Sequence, residues 1–142
     1  MLRVRYLLSL KNPALWSIGS EEPVLEAIQV MADKRIGALP VLKDGELVGI
    51  VSERDYARKV ILLGRSSADT PVWQIMSSPV TTVTPEEEVH RCMEIMTEQH
   101  IRHLPVIERG KLIGIISIGD LVKAVIDEQQ QTIDQLERYI AG

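Results

Sequence analysis

A repeat restricts this chain more than any other feature. Residues 37–60 read GALPVLKDGELVGIVSERDYARKV, and 65 positions later residues 102–125 read RHLPVIERGKLIGIISIGDLVKAV. The landmarks stay in register without a gap: Leu39 and Leu104, Pro40 and Pro105, Gly45 and Gly110, Gly49 and Gly114, Ser52 and Ser117, Asp55 and Asp120. Upstream, Ile18, Glu21, Glu22, Val24 and Met31 fall on Val83, Glu86, Glu87, Val89 and Met96. Between Ser17–Val60 and Thr82–Val125, 15 of 44 positions are identical. A fixed internal period sets the architecture before any single element does. Two copies are too few for a solenoid, so the expectation is two units packed face to face with pseudo-twofold symmetry.

Size agrees with that arrangement. At 142 residues the chain is one module. A copy of about 65 residues is marginal alone, because small domains bury a smaller fraction of their surface, so the copies are expected to share an interface. A net charge of −4 and an aromatic content of 4%, without Phe, argue against general nucleic-acid binding. The single cysteine, Cys92, excludes an intrachain disulfide and points to a reducing compartment. Arg3 and Arg5 precede an apolar run of about five residues, short of the ~7–15 of a signal peptide. No stretch approaches the ~20 apolar residues of a membrane span. A cytoplasmic location without membrane contact is expected.

In chain order, residues 3–10 predict one or two helical turns with Val4, Leu7 and Leu8 on one side, broken at Asn12-Pro13. Trp16–Ile18 is short and extended. Val24, Ala27, Ile28, Met31 and Ala32 recur at helical spacing after Pro23 and predict a helix to about Lys34, with Gly37 as its stop. Leu39–Leu42 reads as a buried strand, and Asp44-Gly45 as a hairpin turn. Glu46–Val51 returns as a strand whose apolar run suggests burial on both faces. Ser52–Gly64 is the second helix. The second copy repeats this: Val80–Val83 extended, Pro85–Gln99 helical, Leu104–Ile107 and Lys111–Ile116 strands around Arg109-Gly110, and a helix from Ser117 to about Ile140. The fold class is α/β, each unit strand–helix–strand–strand–helix. Residues 1–64 are assigned to the first repeat with its N-terminal arm, 65–76 to a linker with a short helix at Pro71–Met76, and 77–142 to the second repeat with an extended C-terminal helix. The tail stripe of Val125, Ile126, Ile133, Leu136 and Ile140 is open to two covers, a partner chain or its own module.

The chemistry concentrates at Ser52-Glu53-Arg54-Asp55 and its copy, Ser117 to Asp120. A Ser-x-x-Asp at a strand-to-helix junction is close to a capping box, in which the hydroxyl caps the helix and the carboxylate suits its dipole. The same geometry suits a nucleotide: a helix start attracts phosphate, and a carboxylate can accept two hydrogen bonds from a ribose diol. Capping and binding are compatible. Elsewhere, Cys92 lies on an apolar face with Val89, Met93 and Met96 and reads as a buried hydrophobe. His90, His100 and His103 lack metal-ligand spacing, no P-loop is present, and no nucleophile–base assembly can be argued. Arg58, Lys59 and Arg65 read as solvated charges.

The paired pattern of LPV, a Gly turn, and GIVSERD or GIISIGD resembles the CBS domain, and two tandem copies resemble a Bateman module over about residues 15–127. The resemblance implies regulatory rather than catalytic work, adenine-nucleotide or adenosyl ligands in clefts between the repeats, and a flat homodimer of modules. It also implies that Ser52 with Asp55, and Ser117 with Asp120, hold the ribose. Adenine is expected near Ser17 and Ile18 and near Thr82 and Val83, read by backbone groups between apolar walls. Basic residues before the LPV strand, and before the motif aspartate of the opposite copy, are implied to hold phosphate. Here they are Arg102, His103 and Arg54, whereas Gly37, Ala38 and Gly119 offer none. A site using Asp120 would gather Arg102 from its own copy and Arg54 across the cleft, and a site using Asp55 would have His103 and no arginine. Arginine suits phosphate through its two parallel donors. The Asp120 site is therefore expected to be the stronger for phosphorylated ligands. AMP, ADP, ATP and NAD(H) are the leading ligands, with no catalytic cofactor and no metal, and an unidentified regulated protein is the expected partner. A constitutive adaptor with degenerate sites and a nucleotide-acting enzyme are the rival readings. S-adenosylmethionine is the alternative ligand.

Overall fold

The structure, a computed structural model, describes residues 1–141. It divides into two compact units that do not follow chain order. Ala14–Thr81 form the first-repeat unit, whereas Met1–Pro13 join the chain from Thr82 onward in the second-repeat unit. The elements are α1 (Val4–Leu10), β1 (Ile18–Gly19), α2 (Val24–Lys34), β2 (Ala38–Lys43), β3 (Glu46–Ser52), α3 (Glu53–Tyr56), α4 (Val89–Gln99), β4 (His103–Glu108), β5 (Lys111–Ser117) and α5 (Ile118–Ala141). Helical turns at Ala57–Ile61, of π type, and at Val72–Gln74, of 3₁₀ type, complete them.

In the first-repeat unit, β1 runs parallel to β2 and β2 antiparallel to β3. In the second, β4 and β5 form the hairpin, and the third strand shrinks to one parallel bridge, Val83 to Val106. That bridge is all that the extended Val80–Val83 segment contributes to the sheet. Both hairpins turn through two residues of positive φ, Asp44 (52°) with Gly45 (79°) and Arg109 (51°) with Gly110 (78°). This is the mirror-image turn that a right-twisted hairpin favours, and glycine takes its second position without strain.

The first core collects Val24, Ala27 and Met31 of α2 with Leu39, Val41, Val51, Val60, Val72 and Ile75. The second collects Val89, Cys92, Ile95 and Met96 of α4 with Leu104, Val106, Ile116, Leu121 and Ala124, and is completed by Val4 and Leu7 of the arm. The helix stripes thus lie where their spacing puts them, although Ala32 faces water.

Several details depart from expectation. Both first helices of the repeats end on a left-handed non-glycine residue, Arg35 (φ 55°) and His100 (φ 56°). The next N–H, of Ile36 or Ile101, then reaches back to the carbonyl of Met31 or Met96 at 3.0 Å. This Schellman closure ends α2 at Lys34, the end that its apolar spacing predicts, but the stop is made by Arg35 and not by Gly37. α4 starts at Val89 rather than Pro85, because Thr84–Glu88 is spent on a turn and an extended approach. β3 alternates, with Gly49 and Val51 buried and Leu47, Val48 and Ile50 half-buried, so it is not buried on both faces. α5 runs on as anticipated, but its far half does not pack on its own unit: Ile126, Ile133, Leu136 and Ile140 are all about half exposed or more.

The arm and the segment assigned to the linker prove to be counterparts. Val4 N–H donates to the Glu87 carbonyl (2.9 Å) as Val72 N–H donates to that of Glu22 (2.8 Å). Arg5 N–H meets the Pro85 carbonyl (2.8 Å) as Trp73 N–H meets that of Ser20 (3.0 Å). Val89 N–H meets Leu2 (3.0 Å) as Val24 N–H meets Thr70 (2.8 Å). Glu22, Ser20 and Val24 are the repeat partners of Glu87, Pro85 and Val89. Residues 2–9 therefore do for the second repeat what residues 70–77 do for the first. Val4 and Leu7 fill the pocket that Val72 and Ile75 fill, and Leu8 covers Gly114 as Met76 covers Gly49. The arm precedes the first repeat in the chain and belongs to the second in space.

Candidate ligand-binding site

Each candidate carboxylate sits where a hairpin strand turns into a helix. In the first-repeat unit, Ser52 caps α3. Its Oγ accepts from Asp55 N–H (3.1 Å), while its N–H and hydroxyl both donate to Asp55 Oδ2 (3.0 Å each). The reciprocal capping box is complete. Asp55 Oδ1 takes the Lys59 ammonium at 3.2 Å and the Ser77 hydroxyl at 3.4 Å, and Lys59 also donates to the Ile75 carbonyl (2.9 Å).

In the second-repeat unit, Ser117 N–H donates to Asp120 Oδ2 (2.8 Å) and Asp120 N–H to Ser117 Oγ (3.2 Å). The cation here comes from the arm. Lys11 Nζ reaches Asp120 Oδ2 at 2.7 Å and the Ile115 carbonyl at 2.7 Å. Burial pushes the Asp120 carboxyl up, but the bonds from Lys11 and Ser117 outweigh it, and the group lies below its ordinary value. His103 is opposite Ser117 in the β4–β5 ladder. Its burial, helped by Lys11 and Arg102 against Asp120, lowers the imidazole, which is thus neutral near pH 7. The Arg102 carbonyl accepts the first N–H of α5, from Ile118 (2.8 Å), so Arg102 stands beside the helix start with its side chain in water.

Of the residues singled out from sequence, the second-repeat unit thus brings Arg102, His103, Ser117 and Asp120 together. Thr82 is exposed and directly precedes Val83 in the chain. Val83 is buried, and both of its backbone groups are engaged, its N–H with Pro105 (3.1 Å) and its carbonyl with Ile107 (2.9 Å). The first-repeat unit places Ser52 and Asp55 together, Arg54 exposed in the first turn of α3, Ser17 exposed and Ile18 buried in β1. Three further contributors are Lys59, expected as a solvated charge but paired here with Asp55, and Ser77 and Lys11, which the sequence did not single out. Lys59 had a visible signal, since Asp then Lys at i and i+4 share a helix face. Ser77 and Lys11 lay outside the 44 aligned positions and gave none.

Cys92 is fully buried and its thiol is pushed up to about 11, first by burial and then by Glu87, so it is an inert hydrophobe at neutral pH. Among the described residues no cluster of three or more His, Cys, Asp or Glu could hold a metal ion, and no helix is long and apolar enough to cross a membrane.

With this geometry in hand, the comparisons with known proteins are direct. The CBS-domain profile matches residues 9–61 and again 72–127. The chain belongs to the CBS-domain family. Its two CBS repeats resemble a CBS-domain protein, CBSX3, mitochondrial, from Arabidopsis thaliana, at 45% identity over 133 residues. That match covers 90% of this chain and 64% of the plant protein, so the chain spans less than two thirds of it. The solved structure of a candidate signal-transduction protein with CBS domains, from Burkholderia ambifaria MC40-6, superposes with a TM-score of 0.87 at 47% identity, covering 90% of this chain and 96% of that one. A hexameric CBS-CP12 protein from bloom-forming cyanobacteria superposes at 0.77 with 29% identity, covering 86% and 70%. The tandem CBS fold expected from the repeat is therefore established.

Proposed function

We propose that this CBS pair is a regulatory module that binds an adenine nucleotide (AMP, ADP, ATP or NAD(H)) and passes its state to a partner protein. The observation that carries the reading is the Ser117–Asp120 corner. There an ionised carboxylate, able to accept a ribose diol once its lysine is displaced, stands at the start of a long helix with Arg102 nearby. Carboxylate for sugar and a cation for phosphate are the two halves of nucleotide recognition. The signal-transduction description of the Burkholderia relative points the same way. The mechanism is differential affinity: the ligand favours one arrangement of the protein by the difference in its binding to the two.

Thermal shift with AMP, ADP, ATP, NAD+ and S-adenosylmethionine, on protein stripped of ligand by unfolding and refolding, tests the reading. At 100 times Kd a ligand stabilises by about 2.7 kcal/mol, several degrees at this size. The expected result is a shift with a phosphorylated adenine ligand that Asp120→Ala removes. Its persistence in Asp120→Ala and loss in Asp55→Ala would move the stronger site to the first repeat. No shift at millimolar concentrations would favour the second reading, a constitutive adaptor. That reading has one observation of its own: both carboxylates already hold a lysine and lack no counter-charge.

The assembly follows from α5. Ile126, Ile133, Leu136 and Ile140 are spaced by seven, three and four residues, the a and d positions of a heptad with β-branched residues at a and leucine at d. That pattern favours a parallel two-stranded pairing with a second copy. Light scattering is expected to give a dimer or a multiple of one, and Leu136→Glu to lower the mass.

A further inference from the structure

We infer that Lys11 gates the Asp120 site, so that a ligand's vicinal diol and the end of the N-terminal arm compete for one carboxylate. This rests on the nucleotide reading above and adds a regulated element to it. Lys11 Nζ lies 2.7 Å from Asp120 Oδ2, the oxygen that also takes Ser117 N–H. A ribose diol needs the acceptor capacity of this carboxylate, and the ammonium now holds part of it. Lys11 is the last residue before the Asn12-Pro13 break and follows directly on α1, whose Leu8 packs over Gly114 of β5. The apolar anchors Leu7 and Val4 lie one and two turns upstream and are buried in the second core, independently of any contact with Lys11 itself. Displacement therefore frees the end of the arm, not the whole of it, and exposes the Lys11–Asn12 peptide.

The first repeat supplies the contrast. Its lysine, Lys59, reaches Asp55 from one turn along the same helical segment and bonds the Ile75 carbonyl, as Lys11 bonds that of Ile115. A ligand that moves Lys59 acts on its own helical segment and on the adjoining 70–77 segment, both close to Asp55 in sequence. One that moves Lys11 changes a segment that enters from the other end of the chain. Of the two carboxylates, Asp120 is the one wired to a remote element.

The test is trypsin cleavage after Lys11 in the full chain, followed by mass spectrometry, with cleavage after the exposed linker residue Arg65 as internal control. Ligand-free Asp120→Asn is expected to be cut after Lys11 roughly threefold faster or more than wild type, the scale of one lost ion pair, with Arg65 unchanged. Saturating AMP is expected to speed the same cut in wild type but not in Asp120→Asn. 2′,3′-Dideoxyadenosine monophosphate, which keeps the phosphate and lacks the diol, is expected not to. In parallel, Lys11→Met is expected to bind AMP more tightly, by a similar factor. Slower cutting with AMP, together with weaker binding by Lys11→Met, would overturn the gate and make Lys11 a phosphate ligand. If AMP binds no variant while Asp120→Asn still loosens Lys11, the nucleotide reading fails and the contact between arm and carboxylate stands. If Asp120→Asn leaves the Lys11 cut at the wild-type rate, the gate itself fails, whatever AMP does.

Discussion

Asp55 and Asp120 hold the same place in two copies of one motif, and each is locked to its own serine by the same pair of bonds. They differ in where the neutralising lysine comes from. Lys59 stands four residues beyond Asp55, so that pair forms wherever the helical segment forms. Lys11 stands 109 residues from Asp120 and arrives only when the arm docks on β5 and α5. The same division separates the segments that complete the two cores. Residues 70–77 follow the first repeat and fold back on it. Residues 2–9 must cross the whole of the first repeat in sequence to complete the second. A duplicated unit has kept its chemistry while one copy takes its support locally and the other from a distance.

The largest expected effect tests whether that equivalence is energetic as well as geometric. Leu7 and Ile75 occupy matching places, both essentially without solvent exposure. Truncation of a buried Leu or Ile to Ala costs about 2–5 kcal/mol. Leu7→Ala and Ile75→Ala are each expected to lower the urea midpoint by that order, although Leu7 lies in what looks like a dispensable N-terminal extension. A loss below about 1 kcal/mol for Leu7→Ala would show that the arm is an accessory, and would break the comparison.

The glycines beneath these segments divide the two copies more finely. A Cβ on Gly114 would come within 2.7 Å of the Leu8 Cδ2 atom, the tip of a flexible side chain. A Cβ on Gly49 would overlap Met76 and also sit 3.1 Å from the Ser77 carbonyl oxygen, which is backbone and is held by the Ile50 N–H. Overpacking costs about 1–3 kcal/mol and depends on what can move. Gly49→Ala is expected near the top of that range and Gly114→Ala near the bottom, read as denaturation midpoints. Equal losses would mean that the arm is held as rigidly as the linker segment.

The repeat, both hairpins, the amphipathic helices and the length of α5 were legible because each is carried by a local pattern or by the 65-residue period. The exchange of the arm was not. Residues 2–9 (LRVRYLLS) and 70–77 (TPVWQIMS) share only the valines Val4 and Val72 and the serines Ser9 and Ser77. They are offset by 68 positions, three away from the period that aligns everything else. Two apolar anchors and a serine are too little signal to find a duplicate out of register. For the same reason Ser117 and Asp120 could be named from the sequence and Lys11 could not: the motif is local, and the lysine reaches it only through a tertiary contact.

Acid is expected to act on the Lys11–Asp120 pair. The Asp120 carboxyl lies below its ordinary value in the folded protein. A depressed carboxylate contributes stability that is complete above its unfolded value, near pH 4, and is lost as pH falls through the lower folded value. The difference in unfolding free energy between wild type and Asp120→Asn is therefore expected to be constant from about pH 5 to 7 and to shrink below about pH 4. With side chains 33% and 25% exposed, the pair is worth about 1 kcal/mol or less. Lys11→Met is expected to flatten most of that acid dependence. If it leaves the dependence intact, Ser117 alone holds the carboxylate, and Lys11 is not the counterpart of Lys59 that the geometry indicates.

The smallest expected effect concerns a feature that the two copies share. Arg35 and His100 end their helices in the left-handed region, which costs a residue with a Cβ about 1–2 kcal/mol. Glycine removes that strain, but the unfolded chain regains about 0.4–1 kcal/mol of conformational freedom. Arg35→Gly is therefore expected to stabilise the protein by about 0.5–1 kcal/mol, with the helix end unchanged by circular dichroism. Gly37 attracts attention as a stop signal because it is the nearest glycine, yet Ile36 is already bonded back to Met31 when the chain reaches it. Transferring the glycine two residues upstream tests that order of events. A destabilised Arg35→Gly would show that the Arg35 side chain holds something its exposed position does not suggest, and would mark a functional difference between the ends of α2 and α4.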